Sequence, residues 1–239
     1  MPVTMPAGRV RRATGRSDGQ LAAEPGALGR VPRARPLGPT ARRILDAALE
    51  SFAQRGYEAT SLDQLARALG VRKQTILYWF SSKEALLEAV IDDATAELSA
   101  TLETALEGAG EGFARVEAVV RSVFRLAARR PALISLVREV SRLGPPAALR
   151  MAEELAPLVA RAIEFLQAEM DVGRFRRHDP RLLLLAIYST VVGMVTEVET
   201  GRLLGEEPTL RSLVRRRSEI VAFLRSALEH GAARGSALR

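Results

Sequence analysis

The chain has 239 residues and a net charge of +7, and aromatic residues make up only 5% of it. It has no cysteine, and its two histidines, His178 and His230, lie far apart, so we expect no disulfide, no thiol chemistry and no metal site. The most apolar run, residues 182–195, is shorter than the roughly 20 residues of a membrane helix, and the N-terminus lacks the apolar core of a signal peptide. These features predict a cytoplasmic protein that has no cofactor and no membrane contact.

The N-terminal segment, residues 1–37, is rich in glycine, proline, alanine and arginine and has no hydrophobic periodicity, which predicts disorder. Its first 36 residues carry seven arginines against Asp18 and Glu24, so most of the excess positive charge lies here. Two interpretations stay open. The segment is either a solvated leader or a basic arm that follows phosphates or enters a minor groove.

The first predicted helix covers residues 39–55. Ile44, Ala48 and Phe52 recur at helical spacing and give it one apolar face, and the glycine after it ends it. We expect this helix to brace the segment that follows. The exception is its N-terminal end, where Arg42 and Arg43 are placed to reach beyond the packed structure.

A second, shorter helix follows over residues 62–69. Ser61 can cap it, and Gln64, three residues later, can return a hydrogen bond to the Ser61 backbone, which forms a capping box. Gly70 ends the helix because glycine accepts the left-handed conformation of a sharp turn.

A third helix over residues 71–80 can pack back on the second through Val71, Ile76 and Phe80. Ser81 and Glu84 then have the spacing of another capping box, which predicts the start of a fourth helix there. Helix, glycine turn and helix form a helix-turn-helix, a motif that places its second helix in the major groove of DNA.

The remaining chain continues as helices separated by glycine and proline, and no stretch alternates with the period of a strand. The pattern predicts an all-α protein of about nine helices, three in a head, one connector and five in a larger bundle. The later helices are expected over residues 83–106, 112–130, 131–143, 146–170, 180–204 and from 208 to about 230.

Residues 41–90 resemble the DNA-binding domain of the TetR family of bacterial regulators. Arg72, Gln74 and Leu77 stand where the family usually has a small capping residue, a small residue and a tyrosine. The matching residues keep the family's order and spacing: Ile44, Ala48, Phe52, Arg55, Gly56, Tyr57, Ala59, Thr60, Ser61, Leu65, Ala66, Gly70, Val71, Lys73, Thr75, Ile76, Phe80, Ser82, Lys83, Glu84, Ala85 and Leu86.

The resemblance implies that the last two helices pair with those of a second copy and that the bundle holds a small-molecule pocket. Gly193 would permit close helix approach in such a dimer, although a tolerated glycine in a buried helix is an equal alternative. We place the domain limits at residues 1–37 for the arm, 38–86 for the DNA-binding head, 87–232 for the ligand-binding and dimerisation domain, and 233–239 for a frayed tail.

Residues at the N-terminal end of the third helix are the strongest candidates for DNA contact. Gln74 suits adenine, Arg72 or Lys73 suits guanine, and Lys83 suits a phosphate. The complete set of predicted DNA-binding residues is Arg42, Thr60, Ser61, Arg72, Lys73, Gln74, Thr75, Tyr78, Trp79 and Lys83.

The position of a pocket is less well marked in the sequence. Arg121, Arg138 and Glu139 are charges near apolar stripes. They are either pocket groups or part of the solvated face, and we favour the solvated face. The residues predicted to line the pocket lie on apolar faces of the bundle helices: Phe124, Val137, Met151, Leu155, Leu158 and Tyr188.

These features predict a transcriptional regulator, a repressor that binds a palindromic operator as a homodimer and that a small-molecule effector releases. The alternative is a DNA-binding activator or architectural protein without a ligand. An enzyme on a helical bundle is a third class, but we find no cluster of nucleophile, base or metal ligands and predict no catalytic residue.

Overall fold

The structure is a computed structural model that describes residues 38–230, so the predicted arm and the predicted frayed tail lie outside the described residues. Within this range no helix is long and apolar enough to cross a membrane. The regular elements of the range are α-helices, in chain order α1 (Pro39–Arg55), α2 (Leu62–Leu69), α3 (Lys73–Trp79), α4 (Lys83–Glu107), α5 (Phe113–Arg129), α6 (Pro131–Leu143), α7 (Ala147–Asp171), α8 (Pro180–Thr196), α9 (Val198–Leu203) and α10 (Leu210–Leu228).

The predicted all-α fold is confirmed, and several helix ends fall where the sequence places them. Helix α1 begins at Pro39 and stops before Gly56, whose φ of 88° lies in the region that favours glycine. Asp179 caps α8 by accepting hydrogen bonds from the backbone N–H groups of Arg181 and Leu182 at 2.8 and 3.1 Å.

The prediction of one helix over residues 180–204 is wrong. The backbone leaves the helical region at Glu197, with φ −81° and ψ 71°, so α8 ends at Thr196 and the short helix α9 follows. Arg138 of α6 binds the chain at this break, because it donates to the Thr196 carbonyl at 3.1 Å and pairs with the Glu197 carboxylate at 3.0 Å. The described range therefore has ten helices rather than about nine.

The second predicted capping box is also wrong, by one position. Ser82, and not Ser81, caps α4, since its Oγ accepts a hydrogen bond from the Ala85 backbone N–H at 3.1 Å. The Glu84 carboxylate faces the head, where it accepts a hydrogen bond from the Tyr57 hydroxyl at 3.2 Å.

The buried apolar residues form two clusters. The first packs α1, α2, α3 and the first half of α4 against α6, the end of α5 and the start of α7. The second packs the start of α5 and the end of α7 against α8 and α10. The first cluster runs through Leu86 and Leu87, so the head and α6 share one core, and the domain limit between residues 86 and 87 stays a prediction.

Candidate nucleic-acid interface

The turn between α2 and α3 has the local bonds that the sequence predicts. The backbone N–H of Gln64 donates to Ser61 Oγ at 3.2 Å, and Gln64 Oε1 accepts from the Ser61 backbone N–H at 2.9 Å. Gly70 is left-handed, with φ 67° and ψ 30°. These contacts confirm the first capping box and the glycine turn, and they set α3 at an angle to α2.

Helix α3 buries one side chain, Ile76, and leaves a polar and aromatic surface outward. Arg72, Lys73 and Gln74 are exposed around its N-terminal end. Tyr78 lies one turn after Gln74, and 80% of its surface is exposed. A large aromatic side chain that is so exposed is typical of a surface that contacts another molecule.

The side chain of Lys73 forms an ion pair that is exposed to solvent. Its Nζ lies 2.9 Å from Asp63 Oδ2 at the start of α2, and both side chains are largely exposed. An exposed pair of this type contributes at most about 1 kcal/mol, so another anion can replace Asp63 at little cost.

Lys83 lies at the start of α4, beside the end of α3. Its Nζ is 4.1 Å from the centroid of the Tyr57 ring and 3.4 Å from the Glu58 carbonyl oxygen. Burial, and secondarily the Glu84 carboxylate, raises the pKa of Tyr57 to about 12, so its hydroxyl stays protonated and continues to donate to Glu84. This arrangement holds the lysine at the surface of the head.

Trp79 is partly exposed and packs edge to face on Tyr78, with ring centroids 5.3 Å apart. Its ring also borders Gly38, because a Cβ at that glycine would lie 3.4 Å from the ring. The two aromatic residues therefore join the outer surface of α3 to the start of α1.

Thr60 and Arg42, two of the predicted contact residues, bond to groups elsewhere in the protein. Thr60 is only 1% exposed, and its Oγ1 hydrogen-bonds with Ser51 Oγ at 2.7 Å and donates to the Gly56 carbonyl at 2.9 Å. We correct the expectation that Thr60 contacts DNA, since its hydroxyl ties the end of α1 to the start of α2. Arg42 is exposed, but its guanidinium pairs with Asp93 of α4.

The six residues predicted to line a pocket do not belong to one cluster. Phe124 is buried in the second cluster, whereas Met151 is buried in the first, with Val137 and Leu155 packed against it. Leu158 is half-buried on α7. Tyr188 is 46% exposed on the outer side of α8, so we correct its assignment to a pocket inside the bundle.

Sequence reasoning missed one residue that joins the head to the bundle. Glu139 of α6 was assigned to the solvated face, yet its Oε1 accepts a hydrogen bond from the Tyr57 backbone N–H at 2.6 Å. Arg142 holds the same carboxylate through two hydrogen bonds, at 2.9 and 2.7 Å. The hydrogen bonds from Arg142 are the main reason that the pKa of Glu139 lies below its usual value.

Arg130, between α5 and α6, forms a second junction that the sequence did not indicate. It lies 3.3 Å from Asp46 of α1 and 2.9 Å from Glu97 of α4. The i, i+3 spacing of Glu139 and Arg142 is visible in the sequence, but the partners of Glu139 and Arg130 in the head are more than 80 residues away.

These elements define a helix-turn-helix protein with a helical C-terminal domain. A family model for bacterial regulatory proteins, tetR family, matches residues 44–90. The chain is 46% identical over 59 residues to the HTH-type transcriptional regulator RutR of Escherichia coli K12, covering 25% of this chain and 28% of RutR. It is 35% identical over 46 residues to IcaR, a negative transcriptional regulator of the biofilm operon icaADBC in Staphylococcus aureus strain Newman, covering 19% of this chain and 25% of IcaR.

Solved structures extend the likeness to the bundle. FadR of Bacillus subtilis, in complex with stearoyl-CoA, superposes with a TM-score of 0.66 at 21% identity, over 78% of this chain and 98% of that one. AibR, in complex with isovaleryl coenzyme A and operator DNA, gives 0.66 at 18% identity, over 77% and 96%. The chain therefore carries a DNA-binding domain of the tetR type over residues 44–90. Its sequence matches span only about a quarter of the curated relatives' length, so the likeness beyond the head is one of fold.

Proposed function

We propose that this protein is a repressor that binds a palindromic DNA operator as a homodimer and is released by a small-molecule effector. The observation that carries the proposal is the outward face of α3, where Arg72, Lys73, Gln74 and Tyr78 are exposed while Ile76 alone is buried. A helix with this surface, held by a second helix, suits the major groove.

The proposed contacts divide into those that select sequence and those that fix position. Gln74 reads adenine, and Arg72 or Lys73 reads guanine, because these side chains match the hydrogen-bonding groups of those base edges. Lys83 and the exposed Ser61 each contact a phosphate. Thr75, Tyr78 and Trp79 contact sugar, phosphate or a thymine methyl. Arg42 can join the phosphate contacts when DNA competes with Asp93.

The homodimer is proposed through the outer faces of α8 and α10. Leu182 and Leu185 are 66% and 57% exposed, one turn apart on the side of α8 that faces away from the second cluster. Phe223 of α10 is also more than half exposed. Gly193 lies on the same outer side of α8, with no atom within 4 Å of the position its Cβ would take, so a second helix can approach closely there. Burial of these side chains supplies the free energy of association.

Two comparisons support repression and release. IcaR is a negative regulator, which supports a repressor. FadR and AibR were solved with acyl-coenzyme A compounds, and AibR also with operator DNA, which supports an effector in a bundle of this fold. The alternative, an activator or architectural protein without a ligand, differs in that no small molecule changes its affinity for DNA.

The test is selection of bound sequences from a random duplex pool by the purified full chain at near-physiological salt. The proposal expects one palindromic site, because a two-fold dimer presents two copies of α3 at a fixed spacing. Recovery of no common sequence, with binding that disappears as salt rises, would contradict it and favour the architectural alternative.

Variants then separate the two kinds of contact. Gln74→Ala should relax the preference at one position of each half-site, whereas Lys83→Ala should weaken all sequences about equally and reduce the salt dependence. Arg161→Ala removes a positive charge from α7 in the bundle, where it pairs with Glu103, and is the matched control. Equal effects of Lys83→Ala and Arg161→Ala would exclude a local phosphate contact.

A further inference from the structure

A groove of about 700 Å³ runs between α4 and α5. Apart from Glu97, α4 presents short side chains to this space, namely Ala100, Thr101, Thr104 and Ala105. On the α5 side it is lined by Leu126 and Ser122, both of which are buried. Its volume lies in the range of small-molecule sites in proteins, roughly 300–1,000 Å³.

The groove is strongly basic, and its charge is only partly balanced. Arg125, Arg129 and Arg130 line it together with one acid, Glu97. Glu97 is already paired with Arg130 at 2.9 Å. Arg129 makes no ion pair within residues 38–230, and Arg125 donates only to the uncharged Ser122 Oγ, at 2.7 Å.

Two guanidinium groups without acidic partners, one helical turn apart, repel each other and destabilise the free protein slightly. An anion between them removes this repulsion. Arginine is also the side chain whose planar donor fork best fits a carboxylate or a phosphate. On the opposite wall the Thr104 hydroxyl adds a hydrogen-bond donor, whereas the Thr101 hydroxyl already donates to the Glu97 backbone carbonyl at 2.8 Å.

We propose that this groove binds a small organic anion. Its carboxylate or phosphate group lies at Arg125 and Arg129, and its apolar part lies along Ala100 and Leu126. Both head groups have the chemistry that the two arginines recognise, and the experiment below distinguishes them.

Arg130 connects the groove to the head, so a bound anion can affect the head through this residue. Arg130 lines the groove and also lies 3.3 Å from Asp46 of α1. An anion in the groove competes with Glu97 for Arg130 and repels the Glu97 carboxylate. It therefore changes the ion pairs by which Arg130 joins Asp46 of α1 to Glu97 of α4. This part rests on the proposed function, since it makes the groove a place where an effector acts on DNA binding. Any such coupling is reciprocal, so DNA must change the affinity for the anion by the same factor.

The test is calorimetric titration of the full chain with three probes. Hexanoate carries a carboxylate on a short apolar chain, hexanamide is its uncharged analogue, and inorganic phosphate is the second head group alone. We expect hexanoate to bind and hexanamide not to bind. Binding of phosphate without hexanoate would assign the site to phosphate compounds.

The variants are Arg129→Gln, which should weaken anion binding on the order of 10-fold, and Arg129→Lys, which keeps the charge but loses the fork and should weaken it less. Arg121→Gln is the matched control, because Arg121 lies on the same helix outside the groove and is paired with Glu117. Circular dichroism melting verifies that each variant folds. Equal affinity for hexanoate and hexanamide, or equal loss in Arg121→Gln and Arg129→Gln, overturns the site.

The link to DNA is measured separately, as the affinity for the selected duplex with and without the bound probe. A lower affinity that Arg129→Gln abolishes supports the regulatory role. Anion binding that leaves DNA affinity unchanged overturns that role while leaving the groove as a site. Failure to select any DNA sequence contradicts the proposed function, and the calorimetric result still decides the groove.

Discussion

Helices α3 and α8 each bury a single side chain, Ile76 and Val191, but they expose opposite kinds of surface. The outer side of α3 is polar and aromatic, with Gln74 and Tyr78 in contact with solvent. The outer side of α8 is mainly aliphatic, with Leu182 and Leu185 exposed beside Tyr188.

The difference shows what each surface requires. A polar surface costs little free energy when it is exposed to water, and its hydrogen-bonding groups remain available for a polar partner such as DNA. Exposure of an aliphatic face to water is unfavourable by about 25 cal/mol per Å² of apolar surface, and this cost is removed when another apolar surface covers the face. We therefore expect substitutions on α3 to divide into folding and binding effects, and substitutions on α8 to change assembly.

The largest expected effect is that of Ile76→Ala. Ile76 is the one buried residue of α3, so its truncation should lower the free energy of unfolding by about 2–5 kcal/mol and release α3 from the head. Urea denaturation measures the loss. The matched variant Tyr78→Ala should change stability by less than about 0.5 kcal/mol, because the side chain is exposed, yet it should lower DNA affinity. Equal destabilisation by the two variants would show that Tyr78 is a packing residue.

The second prediction concerns the aliphatic face. Leu185→Glu places a carboxylate on the outer side of α8 in both copies of the proposed dimer, so it should raise the dimer dissociation constant on the order of 100-fold or more. Sedimentation velocity over a range of concentrations measures it. Glu164→Leu alters an exposed charge on α7 and is the control. An unchanged dissociation constant in Leu185→Glu would place the dimer interface elsewhere.

Features that the sequence predicted correctly depend on residues close in the chain. The capping box at Ser61, the left-handed Gly70 and the Asp179 cap each involve a few neighbouring residues, so spacing was enough. Ser81 and Ser82 are adjacent and both suit an N-cap, and only the packed head determines that Ser82 is the one used.

Features that were missed depend on distant residues. From the sequence of its own helix, Glu139 has the features of a surface charge. Its hydrogen-bond donor, the Tyr57 backbone N–H, is 82 residues away in the chain, so the sequence does not reveal the contact. The groove between α4 and α5 results from short side chains on one helix and arginines on another, and helical periodicity does not show which helices are neighbours.

The third prediction tests the junction between the head, which carries α3, and helix α6. Glu139→Ala removes the acceptor of the Tyr57 backbone N–H and the partner of Arg142, and it should cost about 1–3 kcal/mol of stability. Glu139→Gln keeps an acceptor for Tyr57 but loses the ion pair, so it should cost less. Chemical denaturation compares them with the control Glu103→Ala, whose exposed pair with Arg161 should contribute less than about 1 kcal/mol. If all three variants lose the same free energy of unfolding, Glu139 does not stabilise the junction between the head and α6.

The smallest expected effect is the pH dependence of this junction. Hydrogen bonds from Arg142, and then from the Tyr57 backbone, hold the pKa of Glu139 below its ordinary value of 4.5 in the folded protein. A carboxyl group whose pKa is lowered by folding stabilises the protein above its unfolded pKa, and this stabilisation is lost as the pH falls through the folded pKa. The free energy of unfolding should therefore decline below pH 4.5 more steeply in the wild type than in Glu139→Gln, which has no proton to gain. Other acids titrate in both proteins, so the difference between the two curves isolates Glu139. Parallel curves down to the acid transition would show that the carboxylate does not join the bundle to the head in solution.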